Sequence, residues 1–303
     1  MTARSPRPVL IGLAVLTLAG AAGIPSASTA PGSAQVFHWA GPGFRGFTTK
    51  SRAGGAVTSG VVDPAAIDGK AATLRFGSRR PGPAWGSELQ SPQKYLFGVF
   101  TNRLRTPNCA DQPNAGIVTG NFTYGNDGSE LDGDGLTDNS ELDIEVLCAR
   151  PEIVTVSIWT DYRESDSAQR RVTRMVNLRT GRILETRYYT NWDTSVPLTG
   201  PENMPKSIAG VGGFDSSAAY YDYVIRWAAD RVVFQVVAGG RTITLWDYRG
   251  PRSRIPQTKA AFLTNVWHTS TWAPPGHPGA LLPPTHPVTA WIDRTRIAAT
   301  IAP

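Results

Sequence analysis

The sequence predicts an all-β protein built as an antiparallel β-sandwich. From residue 36 onward it consists of short apolar runs separated by glycine, proline, asparagine and aspartate, without long helical periodicity. Many strands without intervening helices favour antiparallel sheets packed face to face. The 24 prolines and 31 glycines mostly supply the turns between them. No repeat or linker divides the chain, so we expect residues 35–303 to form one domain.

Each predicted strand is a short apolar run bounded by turn-forming residues. In chain order these runs cover residues 74–76, 95–99, 116–124, 153–159, 221–227, 231–237, 242–246, 262–267 and 288–297. A further segment, residues 140–147 with the sequence SELDIEVL, alternates acidic and aliphatic residues. A period of two is typical of a strand with one polar face and one buried face.

The first 34 residues have the pattern of a secretory signal peptide. Arg4 and Arg7 precede an apolar run over residues 9–23, and small residues follow, with cleavage expected after Ala27 or Ala34. The apolar run is too short for a membrane span, and no later segment is long or apolar enough. We therefore expect a secreted, extracellular protein with no membrane span.

The charge of the chain argues against nucleic acid as a partner. Removing the two signal arginines from the formal net charge of +6 leaves +4 on about 270 residues, which is slight and scattered. A neutral polymer such as a polysaccharide suits this surface as a partner. We expect the mature protein to be a monomer.

Three acids in the segment 140–147 are the strongest sign of chemistry. On a strand, Glu141, Asp143 and Glu145 share one face, and their mutual repulsion raises the proton affinity of at least one of them. An acid and a base then coexist near neutral pH, as retaining glycoside hydrolysis requires from two carboxyl groups about 5 to 5.5 Å apart. Because Cα atoms four residues apart on a strand are separated by roughly 13 Å, the side chains must lean together. The alternatives are a solvated strand face, or a helix with Glu141 and Glu145 one turn apart.

An acidic loop directly precedes these residues. Residues 130–141, ELDGDGLTDNSE, approximate a twelve-residue calcium loop whose last ligand would be Glu141. This interpretation competes with catalysis for Glu141, and it lacks the flanking helices of an EF-hand. Asp132, Asp134 and Asp138 remain candidates for a structural calcium ion without it, against a plain solvated loop. The proposed chemistry requires no cofactor and no catalytic metal.

Cys109 and Cys148 are the only cysteines in the chain. In the oxidising environment outside the cell, one disulfide between them is the economical expectation. By loop-closure entropy it would contribute at most roughly 4 kcal/mol. It would tether the segment that leads into the acidic strand.

The acidic motif and the features around it resemble glycoside hydrolase family 16. Residues 141–145, ELDIE, match that family's alternation of Glu, Asp and Glu without an inserted residue, as in lichenases and xyloglucan transglycosylases. The resemblance spans most of the mature chain, and the segments that carry it are 85–91 (WGSELQS), 116–124 (GIVTGNFTY), 223–227 (YVIRW), 265–267 (NVW) and 291–293 (WID). It implies a β-jelly roll of the concanavalin A-like kind and a retaining endo-glycosidase that acts on a β-linked, glucan-type polysaccharide.

The resemblance also implies roles for individual residues. Glu141 corresponds to the nucleophile, Asp143 to the assisting carboxyl group and Glu145 to the acid/base. The residues that fall where the family lines its cleft are Glu88, Tyr124, Trp159, Asn265, Trp267 and Trp272. Lichenases carry a tryptophan two residues before the nucleophile where this chain has Asn139, which leaves the polysaccharide open.

Two other functions use the same features. A transglycosylase forms the same covalent intermediate and passes it to a sugar hydroxyl instead of water. A non-catalytic carbohydrate-binding protein is the alternative from another class, because jelly rolls support lectins as readily as enzymes. Three crowded carboxylates favour the enzyme, since a pure binder gains nothing from their repulsion. A calcium-dependent adhesion module is a third interpretation, and it predicts that a chelator abolishes binding.

Overall fold

A computed structural model describes residues 34–52, 54–77 and 84–299 of the protein. The predicted signal over residues 1–34 therefore lies outside the described residues, apart from Ala34. Two short 3-10 helices, Gly200–Asn203 and Arg252–Arg254, are the helical segments described, and no helix in this part of the chain could cross a membrane. The strands are β1 Gln35–His38, β2 Thr48–Ser51, β3 Ala56–Val62, β4 Lys70–Phe76, β5 Ala84–Tyr95, β6 Gly98–Arg105, β7 Ile117–Tyr124, β8 Thr137–Leu147, β9 Ile153–Arg163, β10 Ala168–Asn177, β11 Arg182–Tyr189, β12 Ser195–Pro197, β13 Tyr221–Ala228, β14 Arg231–Ala238, β15 Arg241–Tyr248, β16 Ala260–His268 and β17 Val288–Ala298.

The strands form two antiparallel sheets. One has eight strands in the order β15-β14-β13-β6-β17-β4-β3, with β1 also paired to β17. The other has nine strands in the order β12-β11-β10-β9-β8-β7-β16-β5-β2. Neighbours along the chain often pair, but β16 inserts between β7 and β5, and β17 between β6 and β4. The predicted antiparallel sandwich, consistent with a jelly roll, is confirmed.

The core lies between the inner faces of the two sheets. Phe100 on β6 and Phe262 on β16 come from different sheets, and their ring centroids are 5.3 Å apart. Leu142, Ile144 and Val146 of β8 belong to the same buried cluster. Full burial of such a side chain stabilises the fold by roughly 1.5–3 kcal/mol. This burial fixes which face of β8 points outward.

The predicted strand over residues 95–99 is wrong. Tyr95 ends β5 and Gly98 begins β6, and the two apolar residues between them form the turn that passes from one sheet to the other. Phe97 has φ 63°, a left-handed value that a bulky side chain rarely adopts. Its ring packs edge-on against Trp227 with centroids 5.4 Å apart, so burial of the ring stabilises the unusual backbone. The apolar run therefore reflects a turn packed onto the core.

The predicted disulfide is present in the structure. Cys109 and Cys148 are bonded, with Cα atoms 5.6 Å apart. Cys148 directly follows the last residue of β8, and Cys109 lies in the loop between β6 and β7. The bond therefore ties the end of the acidic strand to the segment that leads into its neighbour β7.

Candidate active site

The three acids lie on the central strand of the nine-stranded sheet. β8 is fifth in that sheet, paired with β7 on one side and β9 on the other. Glu141, Asp143 and Glu145 face outward into one cavity, while the aliphatic residues between them are buried in the core. The predicted separation of an acidic face from an apolar face is confirmed, and the helical alternative is excluded.

The strand register aligns further polar groups with the acids. Glu145 on β8 pairs with Gly120 on β7, Gly120 pairs with Asn265 on β16, and Asn265 pairs with Glu88 on β5. Because Gly120 has no side chain, the space between Glu145 and Asn265 is unoccupied. A Cβ added at Gly120 would lie 2.8 Å from Oδ1 of Asn265. The absent side chain gives Glu145 and Asn265 access to the same space.

This space is a cavity of about 450 Å³ on the outer face of the sheet. Four of the six predicted cleft residues line it together with the acids, namely Glu88, Tyr124, Asn265 and Trp267. Four residues that the sequence did not single out complete the lining, namely Lys50, Gln90, Phe122 and Leu263. Lys50 Nζ lies 2.8 Å from Glu88 Oε1, so the Glu88 carboxylate is ion-paired.

Glu141 has one specific hydrogen-bond donor. The side-chain amide of Asn139 donates to Glu141 Oε2 at 2.8 Å. Burial raises the pKa of Glu141 to about 7, while the Asn139 hydrogen bond and the positive charge of Arg171 act in the opposite direction. The donor and the positive charge both favour the ionised form, which is the form of a nucleophile.

Glu145 accepts a hydrogen bond from an aromatic side chain. The Trp267 indole N–H donates to Glu145 Oε1 at 3.1 Å. Burial and then repulsion by Glu141 raise the pKa of Glu145 to about 7, while the Trp267 hydrogen bond and the positive charge of Arg171 act in the opposite direction. Repulsion by an ionised Glu141 favours the protonated form of Glu145, which is the form of a general acid.

Asp143, between the two glutamates, is the most strongly affected of the three. Burial and the negative charges of Glu141 and Glu145 raise its pKa well above the usual range, against a hydrogen bond from Trp159. The raised pKa favours the neutral, protonated form of Asp143 between its two neighbours. The three carboxyl groups together then carry less negative charge than three fully ionised carboxylates would.

Arg171 on β10 is a functional candidate that sequence reasoning missed. It pairs with Trp159 of β9, which pairs with Glu141 of β8, so the three residues form one row across the sheet. Its guanidinium lies 4.2 Å from the Tyr189 ring centroid, 4.6 Å from that of Trp159 and 5.2 Å from that of Trp192. The alternation of Arg171, Thr173 and Met175 is the signal that could have identified this strand and its outward face.

The two remaining predicted cleft residues flank the main cavity. Trp159 contacts Asp143 and Arg171 from the neighbouring strand. Trp272 stacks on Trp267, with centroids 6.3 Å apart and ring planes 17° apart. It also lines a second cavity of about 650 Å³ with Arg171, Tyr189 and Trp192. The two cavities therefore lie on either side of the Trp267–Trp272 pair.

Glu141 is not part of the acidic loop's carboxylate groups. Among the described residues, the carboxylates close enough to share an ion are Glu130, Asp132 and Asp134, and separately Asp132, Asp138 and Asp161. The loop is flanked by strands β7 and β8 rather than by helices. Glu141 instead lines the cavity with Asp143 and Glu145.

Comparison with known proteins supports the fold. No protein-family model and no curated protein matches the sequence. Among solved structures, the apo Crh5 transglycosylase aligns with a TM-score of 0.53 at 15% identity, covering 90% of this chain and 87% of that one. A glycoside hydrolase family 16 endo-glucanase from Bacteroides ovatus aligns with a TM-score of 0.52 at 10% identity, covering 87% of this chain and 99% of that one.

The chain shares the fold of glycoside hydrolase family 16. The predicted jelly roll therefore agrees with solved structures over most of the chain. A Bacillus licheniformis beta-glucanase also aligns, with a TM-score of 0.47 at 17% identity over 89% of this chain and 99% of that one. At sequence identities of 10–17%, the comparison shows a shared fold only. The chemistry must be inferred from the residues that line the cavity.

Proposed function

We propose that the protein is a secreted, single-domain retaining endo-glycosidase that acts on a β-linked polysaccharide. The observation that carries the proposal is that Glu141, Asp143 and Glu145 lie on one strand in one cavity, and each accepts a hydrogen bond from a different side chain. Burial and mutual repulsion separate their protonation, which gives a nucleophile and an acid at the same pH.

In the first step, the ionised Glu141 carboxylate attacks the anomeric carbon of the bound sugar. The bond from that carbon to the leaving oxygen breaks, and Glu145 transfers its proton to that oxygen. The product is an ester between Glu141 and the sugar, with Glu145 now ionised. Asp143 touches neither bond, and its proposed role is to set the protonation of its neighbours.

In the second step, Glu145 acts as a base. It takes a proton from water, whose oxygen attacks the anomeric carbon and releases Glu141, so the configuration is retained. If a sugar hydroxyl replaces the water, the same step transfers the glycosyl group and the protein is a transglycosylase. The second cavity, lined by Trp192 and Trp272 beside the acids, is the observation that favours this second candidate.

The lining of the cavities suits a neutral sugar polymer. Trp267 and Trp272 provide nearly parallel ring faces that cover the apolar C–H faces of pyranose rings. Asn265 and Gln90 provide amides for hydroxyl groups in the same cavity. Both cavities are open to the outer face of the sheet, and this openness suits internal cleavage of a long chain.

The test is azide rescue of single variants with an aryl β-glycoside. Glu141→Gln should form no covalent intermediate on any substrate, because an amide is neither anionic nor nucleophilic. Glu145→Gln should lose about 10²- to 10⁴-fold in activity on a sugar leaving group. It should still form the intermediate from the aryl glycoside, and azide should restore its turnover with retained configuration. Asp143→Asn should remain partly active with a shifted pH profile.

Glu164→Gln is the matched control, because Glu164 is exposed and distant in sequence from the motif. Rescue of Glu141→Gln to a β-configured azide, with none for Glu145→Gln, would reverse the two roles. Polysaccharide binding with no reducing ends and no transfer product from pH 5 to 8 would support a carbohydrate-binding protein instead. Transfer products that exceed hydrolysis products would identify a transglycosylase.

A further inference from the structure

The acidic loop between β7 and β8 brings three carboxylates together beside the active strand. Asp138 on β8 and Asp161 on β9 are paired across the two strands. The loop returns Asp132 to this pair, so that one carboxylate oxygen of each residue lies within 4.8 Å of the others. All three line one cavity of about 490 Å³. This cavity is separate from the one that holds Glu141, Asp143 and Glu145.

The hydrogen bonds of these carboxylates are incomplete. Asp138 Oδ2 accepts from the Ser129 hydroxyl and the Leu131 N–H, and Asp132 Oδ1 accepts from the Asp134 N–H. Asp161 Oδ2 has no partner among the described residues, although Asp161 is only 1% exposed. A buried carboxylate oxygen without a donor costs free energy that proteins normally avoid.

The nearby cationic side chains do not neutralise this group. Arg170 pairs with Asp134, with 3.1 Å from Nε to Oδ2. Arg252 lines the same cavity but is exposed. The carboxylates of Asp132 and Asp138 lie beside that of Asp161. The carboxylates therefore face one another without a compensating positive charge between them.

We propose that Asp132, Asp138 and Asp161 bind a calcium ion. Calcium takes six to eight oxygen ligands at about 2.3–2.6 Å, so ligands on opposite sides of one ion are roughly 4.6–5.2 Å apart. The carboxylate oxygens lie within 4.8 Å of one another, which is close enough for all three to contact one ion. The ion supplies the positive charge that the buried Asp161 oxygen lacks, and water molecules in the cavity complete its coordination.

The site would clamp the loop onto β9 next to the active strand. Asp138 directly precedes Asn139, whose side-chain amide donates to Glu141 at 2.8 Å. The strand pairing is also irregular between Asp138 and Glu141. Calcium at Asp138 and Asp161 would hold this irregular stretch in one conformation. Metal binding itself does not depend on the proposed glycosidase activity.

The experiment is calorimetric titration of chelator-treated protein with calcium chloride, combined with thermal unfolding. For the unaltered protein we expect saturable binding of one ion, and a rise in Tm of about 5 °C at a calcium concentration one hundred times the dissociation constant. Asp161→Asn should lose both the binding heat and the rise in Tm. Without calcium, its Tm should equal or exceed that of the unaltered protein, because the substitution removes a buried charge and the amide oxygen can still accept the Thr160 hydrogen bond.

Glu130→Gln is the matched control in the same loop. Glu130 is exposed, and its Oε1 accepts from the Gly135 N–H, a bond that an amide oxygen preserves. It should bind calcium within about twofold of the unaltered affinity. Absence of saturable binding to the unaltered protein overturns the proposal, as does full binding by Asp161→Asn. Equal loss in both variants would indicate diffuse attraction of cations to the loop and would also overturn it.

Discussion

At the scale of single residues, the two glutamates differ in the groups around them. Glu141 accepts from the Asn139 amide, and this hydrogen bond and the positive charge of Arg171 lower its pKa against the effect of burial. Glu145 accepts from the Trp267 indole, and the negative charge of Glu141 raises its pKa. These different surroundings, rather than a difference in residue type, are the basis for proposing Glu141 as the nucleophile and Glu145 as the acid.

Removing each donor should shift a different limb of the pH profile of kcat/KM. Asn139→Ala should raise the pKa of Glu141 and move the ascending limb to higher pH. Trp267→Phe should raise the pKa of Glu145 and move the descending limb to higher pH. Hydrogen bonds to charged groups contribute about 1.5–3 kcal/mol, and one pKa unit is about 1.36 kcal/mol, so each shift should be on the order of one pH unit.

The measurement is kcat/KM on an aryl glycoside and on a polysaccharide between pH 4 and 9. Phenylalanine keeps most of the apolar area of Trp267, so binding of the sugar should change less than the pH profile does. Movement of the same limb in both variants would contradict the separate roles of Glu141 and Glu145. The profile reports the acids as an interacting set, so the comparison between variants matters more than either absolute value.

At the scale of elements, β8 is held by its neighbours on both sides and by the disulfide at its end. Replacing Cys109 and Cys148 with serine should lower the free energy of unfolding by up to about 4 kcal/mol, from the entropy of a loop with 39 residues of separation. The catalytic constants at 25 °C should stay within about twofold, because β7 and β9 still fix the acidic face.

Thermal or denaturant unfolding and kcat/KM, measured on the same double variant, check this prediction. The reduced but otherwise unaltered protein provides the matched control, since it has the same sequence without the bond. A loss of activity at temperatures where the variant remains folded would show that the disulfide positions the acids and does not only stabilise the fold.

The elements also show why sequence patterns predicted some strands and not others. The alternation in 140–147 predicted β8 and its two faces, because acidic and aliphatic residues alternate strictly there. Strand β10 was missed because arginine, glutamine and threonine dominate 168–174, although Val172 packs in the core. The apolar run 95–99 was misassigned because a turn whose side chains pack against the core has the composition of a strand. Arg171 was missed with β10, since its role depends on pairing with Trp159 across strands.

Sequence patterns also could not predict which residues align across the sheet. An example is the row formed by Glu145, Gly120, Asn265 and Glu88. Glu88 and Asn265 were expected in the cleft from a resemblance, but their alignment with Glu145 depends on β16 inserting between β7 and β5. Strand β16 lies more than 130 positions after β5 and β7 in the chain, and no local pattern specifies its pairing with them. Gly120 is informative only once that register is known.

At the scale of the whole molecule, buried acids should make stability depend on pH. Burial raises the pKa of Glu141, Glu145 and Asp161 to about 7, and that of Asp143 well above its usual range. Their folded-state pKa values exceed the unfolded ones, so the native state binds more protons between about pH 4 and 7. The stability from these groups is fully present below that window and is lost as the pH rises through it.

Other carboxyl groups have a lowered pKa in the folded protein, and they reduce its stability at acidic pH. Burial opposes ionisation of Asp63, but hydrogen bonds from Tyr220 and the Ala65 N–H, together with the charge of Arg105, lower its pKa overall. Asp247 behaves similarly through Arg231 and Arg249. Their contribution is present above the usual carboxyl pKa and is lost as the pH falls. The two opposing sets predict maximal stability in mildly acidic solution, near pH 5.

Thermal unfolding in the presence of a chelator, from pH 4 to 8, tests this balance. Asp143→Asn removes the carboxyl whose pKa burial and two negative neighbours raise, so its Tm should exceed that of the unaltered protein at pH 7.5 and match it near pH 4.5. At roughly 2–4 °C per kcal/mol for a domain of this size, the gain in Tm should be several degrees.

Asp63→Asn should have the opposite effect and lower Tm most at pH 7.5. It removes the ion pair with Arg105 and weakens the hydrogen bond from Tyr220. If the unaltered protein instead became steadily more stable from pH 5 to 8, the pKa values of the three acids would not be raised, and the acids would be solvated rather than buried. The proposed catalysis needs one ionised and one protonated glutamate at the same pH, so it would then lose its basis.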